Sequence, residues 1–205
     1  MSYPTLRLHP RKEESVLRFH PWIFSGAIAS FSAPVEDGDL VSVVDSKGRP
    51  LGTGHFGGGS IAVRLLSFDA EEVIDRAFYK RRLEAALRLR LSCDLIRPVD
   101  SCDSPNTTYR LVHGEGDSLP GLIIDIYDRT AVVQAHSLGM HQARQTIAEV
   151  LWEVFAEAGD PVLPLEGVYY KSETTLPTRD MRELTSDGFL IGHTEAAPIY
   201  ENGVR

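Results

Sequence analysis

Arg11, Lys12, Arg18 and His20 lie within ten residues of one another, with Phe19 and Trp22 beside them. Cations pair with phosphates and planar rings stack on exposed bases, so this set has the make-up of an RNA contact surface. A solvated face explains the cations nearly as well. Trp22 and Phe24, in a strand-rich stretch, read more readily as core than as stacking platforms. Lys80 and Arg81, on a helix with Arg76, Arg82, Arg88 and Arg90, could extend the same surface.

Other groups gather without making a site. His113, Glu115 and Asp117 could offer ligands to a metal or work as acid and base. Their spacing matches no zinc pattern, and a structural turn is the better reading of Gly114–Gly121. A small metal-dependent hydrolase built on that run is the least favoured function. Gly54–Ser60 is glycine-rich, but strand-forming Ile61-Ala62-Val63 follows it. A phosphate cradle needs a helix N-terminus there, so a hairpin turn is expected. Cys93 and Cys102 are too few for a disulfide scaffold and read as ordinary thiols, and His136 and His141 as surface or capping residues. No segment supplies a strand, a glycine-rich turn and a helix in the order that dinucleotide or S-adenosylmethionine binding requires. No residue is assigned a catalytic, cofactor-binding or metal-binding role.

The elements that must position these groups fall into two kinds. Thr5–Leu8, Leu40–Val44, Pro50–His55 and Ile61–Leu66 read as short strands separated by turn residues, which predicts a small barrel or sandwich over about 1–70. A short helix over Glu13–Phe19 is stopped by Pro21. From Glu71 to Leu91 the period is helical, with Val73, Ala77, Leu83, Leu87 and Leu91 as its stripe and Asp69 as N-cap. This helix is expected to connect two domains over residues 71–92. Beyond a polar link, Tyr109–His113, Gly121–Tyr127, Thr130–Ala135, Gly167–Lys171, Phe189–Gly192 and Pro198–Tyr200 read as strands. Gln142–Ala158 reads as an amphipathic helix ended by Gly159. The fold class is therefore α+β, with a second α+β domain over 93–205.

The net charge of −8 argues against a general nucleic-acid binder, but it is unevenly spread. Residues 1–92 hold 13 Lys+Arg against 11 Asp+Glu, and residues 93–205 hold 8 against 18. No apolar run nears the ~20 residues of a membrane-spanning helix and no secretory signal opens the chain, which reads as cytoplasmic.

Two runs carry a resemblance. His20-Pro21-Trp22-Ile23-Phe24-Ser25-Gly26 with Gly38–Phe56, and Tyr109–Asp125 with its Asp-Ser-Leu-Pro-Gly-Leu core, together resemble the front of the bacterial 23S ribosomal RNA cytosine-5 methyltransferases, the large-subunit methyltransferase I family. Tyr170–Glu173 and Tyr200–Val204 resemble the approach to that family's next domain. The resemblance implies a PUA-like RNA-binding β-barrel over 1–70 and a middle domain before an S-adenosylmethionine-dependent methyltransferase domain. None of that catalytic domain's residues occurs here, so the chain is expected to be a fragment of such an enzyme, inactive alone. It would recognise RNA, large-subunit ribosomal RNA above all, through Arg11, Lys12, Arg18, His20, Lys80 and Arg81. A standalone adaptor that binds RNA or protein is the alternative, and a homodimer remains open.

Overall fold

The computed structural model describes residues 3–99, 103–176, 187–195 and 197–205. The chain divides into two compact units. The first comprises residues 1–74 and Ser137–Gln142, and the second Asp75–His136 and Ala143–Arg205.

The first unit is built on β1 (Thr5–Leu8), β2 (Trp22–Phe24), β3 (Ile28–Phe31), β4 (Leu40–Val44), β5 (Pro50–Phe56) and β6 (Ile61–Ser67), with one turn of helix, α1 (Glu14–Leu17), between β1 and β2. The strands form one sheet in the order β2-β6-β5-β4-β1-β3, antiparallel except for the β1–β4 pair. Laid flat, six strands would hold β2 and β3 about 24 Å apart. Yet only the three-residue 3-10 turn Ser25–Ala27 joins them, a span of about 6–8 Å. The sheet must therefore curl into a small barrel. Leu6, Leu8, Val16, Ile23, Val41, Val43, Leu51, Val63 and Leu65 fill it. The glycine-rich run turns β5 into antiparallel β6, and Gly57 N–H closes it on the Ala62 carbonyl at 2.9 Å.

The second unit holds α2 (Arg76–Ser92), β7 (Thr108–His113), β8 (Leu122–Tyr127), β9 (Thr130–Ala135), α4 (Arg144–Ala158), β10 (Gly167–Tyr170) and β11 (Gly188–Gly192). Its sheet runs β11-β10-β9-β8-β7, with β9 and β10 parallel. Alternation along β8 and β9 buries Leu122, Ile124, Ile126, Ala131, Val133 and Ala135, while Ile123, Asp125 and Val132 on the other face stay half-buried. The buried stripe of α4 is Ile147, Ala148, Val150, Leu151, Val154 and Phe155.

Four expectations are corrected. Asp75, not Asp69, caps α2: its extended backbone lets Oδ1 accept the Phe78 N–H at 2.9 Å, while Asp69 accepts from Glu71 in the preceding turn. The later start shifts the buried stripe to Phe78, Tyr79, Leu83, Ala86, Leu87 and Arg90, leaving Val73, Ala77 and Leu91 outside it. The expected Gln142–Ala158 helix is α4, which starts two residues later at Arg144, and a separate short helix before it, α3 (Leu138–Gln142), belongs to the first unit. Pro198–Tyr200 is not a strand; the Tyr200 carbonyl accepts the Thr107 and Thr108 N–H groups from an irregular segment.

The placement of α2 also changes the charge balance. The first unit holds 7 Lys+Arg against 9 Asp+Glu, a net of −2, because the arginines of α2 belong to the second unit. Any anion affinity of the barrel must be local.

Candidate nucleic-acid interface

α1 buries one side chain, Val16, in the barrel core. That anchor leaves Arg11 and Lys12 exposed before the helix, and Arg18, Phe19 and His20 exposed after it. The helix closes in a Schellman motif: Phe19 N–H donates to the Val16 carbonyl at 2.9 Å and His20 N–H to the Ser15 carbonyl at 3.0 Å. Phe19 sits at the left-handed position of that motif, with φ 61°. Its ring is 73% exposed and meets the Phe68 ring edge-on, 5.3 Å between centroids. His20 Nδ1 accepts the Trp22 N–H at 3.1 Å, so the neutral imidazole carries its proton on Nε2. Arg11, Lys12 and Arg18 form no ion pair with the described residues.

The alternation of β2 overturns the expectation that Trp22 and Phe24 are core. Ile23 points inward, 2% exposed, so its neighbours point out, and Phe24 is 52% exposed. Trp22 lies opposite Arg64 on β6, and Arg64 lies opposite His55 on β5, which places the three on one outer face of the sheet.

His55 is covered there by α3. A methyl group on Gly139 would overlap the imidazole, so only glycine lets the helix approach this closely. Burial, helped by the positive charge of Arg64, pushes the His55 pKa down to about 4, and its Nδ1 has no hydrogen-bond partner. Nothing local to His55 signals this site, since its cover comes from residues more than eighty positions later.

Lys80 and Arg81 lie on α2 in the second unit. Lys80 Nζ contacts Glu153 at 2.5 Å and Glu157 at 2.8 Å, and these hydrogen bonds, Glu153 first, raise its pKa. Arg81 is exposed. Arg90 is buried against Asp117, with two guanidinium–carboxylate contacts of 2.5 and 2.8 Å. Asp117 also accepts the His113 N–H at 2.6 Å, so the acidic turn Gly114–Asp117 serves to hold α2 on β7. Cys93 is exposed; Cys102 lies outside the described residues. His136 is exposed and His141 half-buried.

S-adenosylmethionine is the cofactor that the resemblance implies. Among the described residues, the glycine-rich turns join antiparallel strands, and the Ala135-His136-Ser137 link from β9 into α3 has no glycine. The described residues therefore do not form a nucleotide cradle. No helix of the described residues is long and apolar enough to cross a membrane.

Comparison with known proteins follows the same division. Residues 6–68 match the PUA-like domain family. The ribosomal RNA large subunit methyltransferase I of Escherichia coli O139:H28 is 34% identical over 197 residues, which is 95% of this chain and 46% of that protein. Over nearly all of its own length the chain is therefore similar to part of a large subunit methyltransferase I protein. The Klebsiella pneumoniae relative of the same name is 34% identical over 206 residues, 99% of this chain and 48% of its own length. The chain thus spans about half the length of these relatives. Among solved structures, a Streptococcus mutans protein assigned as a SAM-dependent methyltransferase shares the fold, with TM-score 0.71 and 19% identity over 99% of this chain and 47% of its own. A protein assigned as a methyltransferase and solved with SAH agrees as well, with TM-score 0.71 and 20% identity over 99% and 46%.

Proposed function

We propose that this chain is the RNA-recognition portion of a cytoplasmic, S-adenosylmethionine-dependent enzyme that methylates carbon 5 of a cytosine in large-subunit ribosomal RNA. The observation that carries the reading is the set on the PUA-like barrel: Arg11, Lys12 and Arg18, exposed and without carboxylate partners among the described residues, with exposed Phe19 next to Arg18 in the chain. The names of the relatives supply the substrate class. The second unit would support the methyltransferase domain, for which its half-buried face of Ile123, Val132, Tyr169 and Phe189 offers apolar surface. Catalysis and cofactor binding belong, on this reading, to the other half of the family's length.

Titration of the full chain with a large-subunit ribosomal RNA fragment at several salt concentrations tests this. Three phosphates engaged by Arg11, Lys12 and Arg18 give a slope of about −2 to −3 in log affinity against log salt. The triple variant R11Q/K12Q/R18Q should flatten that slope and leave the melting temperature unchanged. Binding that ignores salt, or no binding by a folded chain, would return the barrel to a protein-binding role.

A further inference from the structure

Phe19 is a bulky residue where the chain's own geometry asks for glycine. The left-handed position of a Schellman motif is usually taken by Gly or Asn, because a Cβ there is crowded by the backbone. The ring gains little from the fold in return: it is 73% exposed, with one edge-on contact to Phe68. Backbone strain kept without a packing reward is a mark of function.

The surroundings indicate which function. The two hydrogen bonds of the motif fix the backbone at residues 19 and 20, and with it the direction of the Phe19 Cα–Cβ bond. Arg18 precedes Phe19. Arg11 and Lys12 precede α1 and Phe19 follows it, on either side of a helix that rises only about 6 Å over its four residues. His20 follows, its Nε2–H left as a donor by the Trp22 bond. An exposed planar group flanked along the chain by unpaired cations fits a base whose neighbouring phosphates those cations hold. Bases inside an A-form duplex present no open face to such a ring, whereas those of loops and single strands do.

We propose that Phe19 is a stacking platform for an unpaired RNA base, and that the barrel therefore selects single-stranded or looped RNA over duplex. This rests on the RNA-recognition reading above. It also answers the charge problem, since a unit with a net charge of −2 and three free cations cannot rely on phosphate attraction alone.

The test uses the full chain, a short labelled single-stranded oligoribonucleotide and the duplex of the same sequence. F19G should weaken single-strand binding about tenfold or more, the loss of one stacked base, with the salt slope unchanged. F19W should restore it. Because glycine suits the left-handed position, the melting temperature of F19G should equal or exceed that of the parent. R18Q should instead lower the salt slope by about 0.7. F19G binding single strands as the parent does overturns the stacking role and leaves RNA recognition standing. A lower melting temperature for F19G overturns it too, since the ring would then be structural. If the parent binds neither RNA, the underlying reading has failed instead.

Discussion

In the barrel, Arg11, Lys12 and Arg18 stand exposed without carboxylate partners; in the second unit, Lys80, Arg90 and Arg110 each lie against one. Along the sequence the two groups look alike, as clusters of cations near a short acidic stretch. The chain fold separates them. Glu153 and Glu157 come from α4, more than seventy residues beyond Lys80, and Asp117 comes from a turn 27 residues beyond Arg90. A paired cation holds the second unit together, while an unpaired one is free to meet an external anion.

The sharpest break of this contrast is at Asp117. Its side chain is 5% exposed and that of Arg90 is 10%, so both charges are desolvated and rely on each other. Among the described residues, D117A leaves the guanidinium with the Arg110 carbonyl alone and should cost about 3–5 kcal/mol in urea unfolding. R18Q in the barrel should stay within about 0.5 kcal/mol of the parent in the same assay. A D117A loss no larger than that of R18Q would mean that the pairing distinguishes nothing.

Much of the fold could be read in the sequence because its elements announce themselves locally. Leu40–Val44 is a β-branched run, and the turn residues Asp45–Gly48 bound it before its partner strand. The strands of both sheets other than β2 and β3, and α4, follow from such patterns, whereas β2 and β3 do not announce themselves. The candidate site was half legible: Arg11, Lys12, Arg18 and His20 are clustered in sequence, and each is exposed. What escaped depends on partners remote in sequence. Lys80 is neutralised by α4, His55 is covered by α3, and Arg90 is buried by the turn that carries Asp117. Trp22 and Phe24 were misplaced for a local reason. In a three-residue strand, one shift in phase exchanges core and surface, and Ile23 takes the core.

His55 sharpens the comparison from the barrel side, as a titratable group kept neutral by burial. Its folded pKa of about 4 lies below the ordinary imidazole value near 6.5. Between those values the unfolded chain binds the proton and the folded one does not. The contribution is therefore intact above about pH 6.5 and is lost as pH falls toward 4, on the order of 3 kcal/mol in all. Urea unfolding of the parent and H55F across that window should show the parent losing the additional amount. Parallel pH profiles for the two proteins would mean that His55 is solvated in the folded chain.

Lys80 carries the smallest expected effect and the most direct check on the contrast. If the carboxylates of Glu153 and Glu157 neutralise it, K80M removes a charge that RNA never meets. The affinity for the ribosomal RNA fragment and its salt slope should then match the parent. A phosphate-bound lysine would instead reduce the slope by roughly 0.7–1. The reciprocal variant E153Q/E157Q removes both partners and exposes the ammonium group without adding a cation. RNA affinity at low salt should rise in that variant and return to the parent value as salt screens the freed charge. A K80M slope as shallow as that of R18Q would place α2 on the RNA surface. In that case ion pairing within the chain would not predict which cations reach the nucleic acid.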